Sequence, residues 1–72
     1  MNEAIAQTIK ELRKQNNISQ EKLAESIDSH QVYISEIENA KKTPSIHILK
    51  QIAQVFGLSL TDFVSRIEKK IK

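Results

Sequence analysis

An all-α fold is predicted by two features of the sequence. A single glycine and a single proline in 72 residues leave little material for hairpin turns, and apolar residues recur at spacings of three and four along the chain. Ile5, Ala6, Ile9 and Leu12 make one stripe of a first helix, about Glu3 to Gln15. Asn16 and Asn17 end it, because asparagine tolerates the left-handed conformation that stops helices. Ser19 suits the N-cap of a second helix, where its hydroxyl can accept from the amide of Glu21 or Lys22 and Glu21 favours the positive helix end. Leu23, Ala24 and Ile27 face inward, and this helix closes near Ile27. The break "DSH" has room only for a tight turn, with Asp28 as the left-handed residue and Ser29 or His30 starting the next helix. This third helix runs to about Asn39, with His30, Tyr33, Ile34 and Ile37 on its inner half and Gln31, Val32, Ser35, Glu36 and Asn39 on its outer half. After the basic loop "AKKTP", Pro44 and Ser45 open a fourth helix, with Ile46, Leu49, Ile52, Ala53 and Phe56 inward and Gly57 as its stop. Ser59 with Asp62 resembles a capping box for a fifth helix that carries Leu60, Phe63, Val64, Ile67 and Ile71.

A chain of this length supports one small core, burying only about 60% of the surface its unfolded form exposes. The whole of 1–72 is therefore read as a single domain, with 64–72 as a C-terminal helical extension. No cysteine is present, so thiolate metal sites and disulfides are excluded and a reducing cytoplasm is the expected compartment. Neither a signal peptide nor a membrane-length apolar run is evident. Eleven Lys and Arg against nine Asp and Glu give a net charge of +2, compatible with a nucleic-acid partner but too mild to demand one. The cations are grouped: Lys10, Arg13 and Lys14 early, Lys41 and Lys42 in the middle, Arg66, Lys69, Lys70 and Lys72 at the end.

Two short helices joined by a three-residue turn, the first with Ala24 at its close-packing point and the second with a polar outer face, describe a helix-turn-helix. The run "ISQEKLAESIDSHQVYISEIENAKKTPS" resembles the Cro/phage-repressor type of helix-turn-helix domain, the Xre-like family, and the similarity continues through "ILKQIAQVFGLSLTDF". It covers Ile5 to about Val64. The resemblance implies a five-helix domain in which helices two and three form the motif, the third helix lies in the major groove of double-stranded DNA, and Gln20 bonds a phosphate. It also implies that Arg13 and Glu38 form a structural ion pair tying helix one to the end of helix three. Four positions depart from the family pattern: Asp28 and Ala40 where glycine is usual, Ser29 where a small apolar residue is usual, and His30 where serine is usual. Alanine in a left-handed position costs roughly 1 kcal/mol. These departures leave the start of helix three open by one residue, since Ser29 can cap in place of His30.

Residue chemistry fills in the interface. Gln31 and Val32 stand at the entry of helix three, where glutamine can pair with adenine through two bonds and valine can touch a thymine methyl. The plain alternatives are a solvated glutamine and a hydrophobic staple. Ser35 and Glu36 complete the base-reading set; Glu36 either accepts from cytosine N4, rejects other bases, or belongs to a solvated face. His30, Tyr33, Asn39, Lys41 and Lys42 join Gln20 as expected phosphate contacts, supplying affinity and register without sequence. For His30, a packed and partly buried histidine is the competitor. Neither His47 nor any carboxylate stands at metal-ligand spacing from His30, and no cofactor or small-molecule ligand is implied.

Ile48 and Val55 are apolar beyond what the core stripe of helix four needs, and Val64, Ile67 and Ile71 continue an apolar stripe to the C-terminus. Together they are read as a homodimer interface, against the alternative that the last helix folds back on its own monomer. The resulting expectation is a non-enzymatic, sequence-specific transcriptional regulator: a homodimer on an inverted repeat, autoregulating its own operon in the manner of a phage-type repressor or restriction-modification controller. The rival is an antitoxin or protein-interaction module whose main partner is another protein.

Overall fold

Three serines start three of the helices. In the computed structural model, which describes residues 2–71, Ser19, Ser45 and Ser59 each take an extended backbone, and each hydroxyl accepts from the amide three residues on: Lys22 at 3.0 Å, Ile48 at 3.2 Å and Asp62 at 3.1 Å. The elements are α1 (Asn2–Gln15), α2 (Gln20–Ser26), α3 (Gln31–Glu38), α4 (Ile46–Val55) and α5 (Leu60–Glu68), with no strand among the described residues. The all-α, five-helix architecture is as the sequence predicts.

Four helices end in the same way. Asn17, Asp28, Ala40 and Gly57 have φ of 55°, 56°, 59° and 70°, and the next residue sends its amide back to a carbonyl five residues earlier. These bonds are Ile18 to Arg13 at 3.0 Å, Ser29 to Ala24 at 2.8 Å, Lys41 to Glu36 at 2.8 Å and Leu58 to Ala53 at 2.9 Å. Each satisfies a helix-end carbonyl that would otherwise lack a partner. Glycine fills this position after α4, and Asn17, Asp28 and Ala40 hold it elsewhere at some backbone cost.

One core joins all five helices. Ile9, Leu23, Ile34, Ile37, Ile52 and Phe63 are its fully buried large side chains, and α1 packs against both α3 and α5 while α2 packs against α3 and α4. Ala24, almost fully buried, lets α2 approach α3 closely. At the C-terminal end, Lys70 bonds Glu11 at 2.7 Å, and this bond holds the Glu11 carboxyl below its ordinary range.

Several expectations are corrected. Ile46, the first residue of α4, is 63% exposed. The core face of that helix is carried by Leu49, Ile52 and Ala53. His30 is exposed and stands before α3 in an extended conformation, off the helical period that suggests an inner position. Ser29 does not cap α3; His30 occupies the N-cap position and makes no side-chain cap bond. Ile67 is only 4% exposed and belongs to the monomer core rather than to a dimer surface. It lies one helical turn after Phe63, so it follows Phe63 inward. Val64 to Glu68 are the second half of α5, and the helix stops there, so Ile71 lies outside it and is exposed. Met1, and Lys72 at the end of the expected extension, lie outside the described residues.

Candidate nucleic-acid interface

The turn between α2 and α3 sets the direction of the outer helix. Asp28 reverses the chain, the Ser29 amide closes on Ala24, and His30 leads into α3. Ile34 and Ile37 anchor α3 in the core at 0% and 1% exposure. Gln31 and Val32, in the first turn ahead of that anchor, are exposed. Val32 is 66% exposed.

Side chains from three helices meet beneath this face. Arg13 of α1 donates twice to Glu38, from Nε to Oε2 at 2.7 Å and from a terminal nitrogen to Oε1 at 3.0 Å, and its other terminal nitrogen reaches the Ile18 carbonyl at 2.9 Å. The Glu38 side chain is 1% exposed and that of Arg13 is 14% exposed. The carboxylate raises the Arg13 pKa above the ordinary guanidinium value, against a smaller opposing effect of burial. Gln20, the first residue of α2, donates from Nε2 to Glu38 Oε1 at 3.0 Å and accepts at Oε1 from Gln31 Nε2 at 2.8 Å. A continuous chain of bonds therefore runs from Arg13 through Glu38 and Gln20 to Gln31.

Further along α3, Lys42 bends back over the helix. Its ammonium is 3.4 Å from a Glu36 oxygen and 5.9 Å from the centre of the Tyr33 ring, while Tyr33 itself packs against the core. Lys41 is exposed beside it. Asn39 closes α3, and its side-chain Nδ2 donates to the Ser35 carbonyl at 2.8 Å. Gln20, Gln31, Val32, Ser35, Glu36, Asn39 and Lys42 thus form a polar, outward-facing surface around α3, with Lys42 partly neutralising Glu36.

The model of the helix-turn-helix family HTH_3 matches residues 9–63 of this chain. The chain belongs to the helix-turn-helix family. It is 40% identical over 63 residues to the control protein C.MunI of a Mycoplasma species, covering 86% of this chain and 85% of that protein. With the control protein C.BamHI of Bacillus amyloliquefaciens it shares 34% identity over 59 residues, 81% of this chain and 73% of that one. Its fold is similar to that of a mutant of the restriction-modification controller protein C.Esp1396I, with a TM-score of 0.86, 27% identity, and coverage of 99% of this chain and 95% of that chain. Such regulators bind double-stranded DNA, and this helix-turn-helix protein is a DNA-binding transcription regulator.

Within the helix-turn-helix unit, the bonds from Gln20 to Glu38 and to Gln31 escape sequence reasoning, because they link residues 18 and 11 positions apart. No periodicity signals them. The contact of Lys42 with Glu36 spans the end of α3 and escapes for the same reason. Away from this face, Ile48 and Val55 are half-buried against the core, Val64 is half-buried on α5, and Ile71 is 43% exposed. Among the described residues there is no cluster of metal-ligating side chains and no helix long and apolar enough to cross a membrane.

Proposed function

We propose that this regulator binds an inverted-repeat operator as a homodimer, reads it with α3 in the major groove, and controls its own operon. The observation that carries the reading is the Gln31–Val32 pair at the outer start of α3, with Gln31 held by Gln20 and Val32 open to solvent. Glutamine matches the donor and acceptor of adenine, and valine matches the thymine methyl, so together they suit an A·T-containing step. Ser35 and Glu36 lie next along the same face. Gln20, His30, Tyr33, Asn39, Lys41 and Lys42 surround it and take the phosphates on either side, which supplies affinity that falls with salt. Arg13 and Glu38 hold α3 against α1 in that pose.

One recognition helix reads too few base pairs to find a single site among ~10⁶ or more competing sites, so pairing of two domains on half-sites about 34 Å apart is the physical remedy. Ile48, Val55, Val64 and Ile71 remain the candidate dimer surface once Ile67 is assigned to the core. Similarity to control proteins over most of their length supports the regulatory part of this reading. Footprinting on DNA upstream of its own gene tests the reading. Protection of two half-sites related by a two-fold axis is the expected result; uniform weak protection without a preferred site would remove the proposed operator.

A further inference from the structure

We propose that Glu38, buried and out of reach of DNA, sets which bases the helix-turn-helix accepts by fixing the direction of the Gln20 and Gln31 amides. The proposal rests on the reading of Gln31 as a base contact. Glu38 is a positioning residue in this scheme.

The direction of the chain of bonds follows from what each group can offer. Arg13 only donates, and its two bonds leave Glu38 Oε1 anchored at the start of the relay. An ionised carboxylate only accepts, so Gln20 must turn its NH2 toward Glu38, as it does at 3.0 Å. That choice leaves Gln20 Oε1 facing α3, and only an N–H can meet it. Gln31 must therefore turn its own NH2 toward Gln20, at 2.8 Å. Reversing Gln20 would set its oxygen against Glu38 Oε1 at a partly buried site, and reversing Gln31 would set two oxygens against each other at the exposed end of the relay and forfeit that bond.

The consequence reaches the groove. Once one N–H of Gln31 is committed to Gln20, the edge left for DNA is its Oε1 together with the second N–H. Adenine offers an N6 donor beside an N7 acceptor and fits that edge. Guanine offers two acceptors, O6 and N7, and would place O6 against the Gln31 oxygen. An unrestrained glutamine could turn its NH2 toward guanine, whereas one held by Gln20 cannot do so without breaking the relay. The second N–H of Gln20 remains available for a phosphate, so holding Gln31 does not cost Gln20 its own contact.

Replacing Arg13 and Glu38 together with methionine removes the acceptor that faces Gln20 without stranding a buried charge, so the Gln20 amide can turn either way. The test selects preferred duplexes from a randomised pool with the unaltered protein, locates the base pair at which Gln31→Ala relaxes preference, and compares adenine with guanine there. The unaltered protein should favour adenine by about 5- to 150-fold, and the Arg13→Met, Glu38→Met double variant should bring the two bases within about twofold. Adding Gln31→Ala to that double variant should change the ratio no further than Gln31→Ala alone. Gln20→Met leaves the Arg13–Glu38 pair intact and serves as the second route if the double variant fails to fold; it should relax the same base position. A role for Glu38 confined to stability would lower affinity for every sequence alike and leave the ratio unchanged, which overturns the proposal. Absence of any base-specific effect of Gln31→Ala would instead remove the base-reading role itself, and the inference with it.

Discussion

Arg13 and Glu38, 25 residues apart, meet through two bonds of 2.7 and 3.0 Å, and the glutamate side chain is almost wholly out of solvent. Removing one partner strands the other's charge. Arg13→Met should therefore destabilise the domain by roughly 3–5 kcal/mol, whereas Arg13→Met with Glu38→Met should cost much less than the sum of the single changes. Urea unfolding of the three variants checks this, and additive losses would mean that the two charges do not depend on each other.

Ala40 holds a left-handed backbone, φ 59°, with only a methyl group as its side chain. Ala40→Gly should raise the unfolding free energy by several tenths to about 1 kcal/mol, because glycine reaches that conformation without the Cβ penalty. A urea midpoint that moves down would show that the bond from Lys41 to Glu36 no longer closes α3 in the variant.

In the proposed complex, a DNA phosphate draws Lys42 away from Glu36, which lies 3.4 Å from its ammonium. Glu36→Gln frees Lys42 and removes a carboxylate from the phosphate-facing surface, so affinity for unrelated duplexes should rise and the salt slope should steepen by about one unit. Discrimination between cognate and scrambled sites should fall. Titrations over a salt series measure both, and an unchanged slope would show that Lys42 reaches phosphate even while paired.

The two apolar groups near the C-terminal half should respond oppositely to charge. Ile67→Lys places an ammonium in the core and should unfold the domain, while Ile48→Lys with Val55→Lys should leave a helical monomer. Circular dichroism with analytical ultracentrifugation separates the cases; a folded Ile48, Val55 double variant that still sediments as a dimer puts the interface elsewhere.

What is legible in the sequence is local. The serine caps, the left-handed stops at Asn17, Asp28, Ala40 and Gly57, and the stripes ending in Ile34, Ile37 and Phe63 all depend on residues within a few positions of one another, where periodicity and capping chemistry operate. Differences arise where a third element decides. Ile46 and Ile67 both satisfy an apolar period, but one is exposed at the first residue of α4 and the other lies where α5 faces α1. His30 continues the α3 period in sequence, yet it precedes the first helical residue, where the extended backbone aims the side chain outward. The relay through Gln20 is invisible in the sequence because amide direction depends on which acceptor stands behind it, and that acceptor arrives from the far end of another helix.

Binding of the unaltered protein and of Gln31→Ala to matched duplexes tests the central claim, that α3 reads base sequence, most directly. Anisotropy titrations at one fixed salt concentration should show the unaltered protein preferring its selected two-half-site duplex over a scrambled one by at least about 10³-fold. Gln31→Ala should lose about 1 to 3 kcal/mol on the selected duplex and little on the scrambled one. Equal losses on both duplexes, or no preference by the unaltered protein, would contradict base reading through the start of α3.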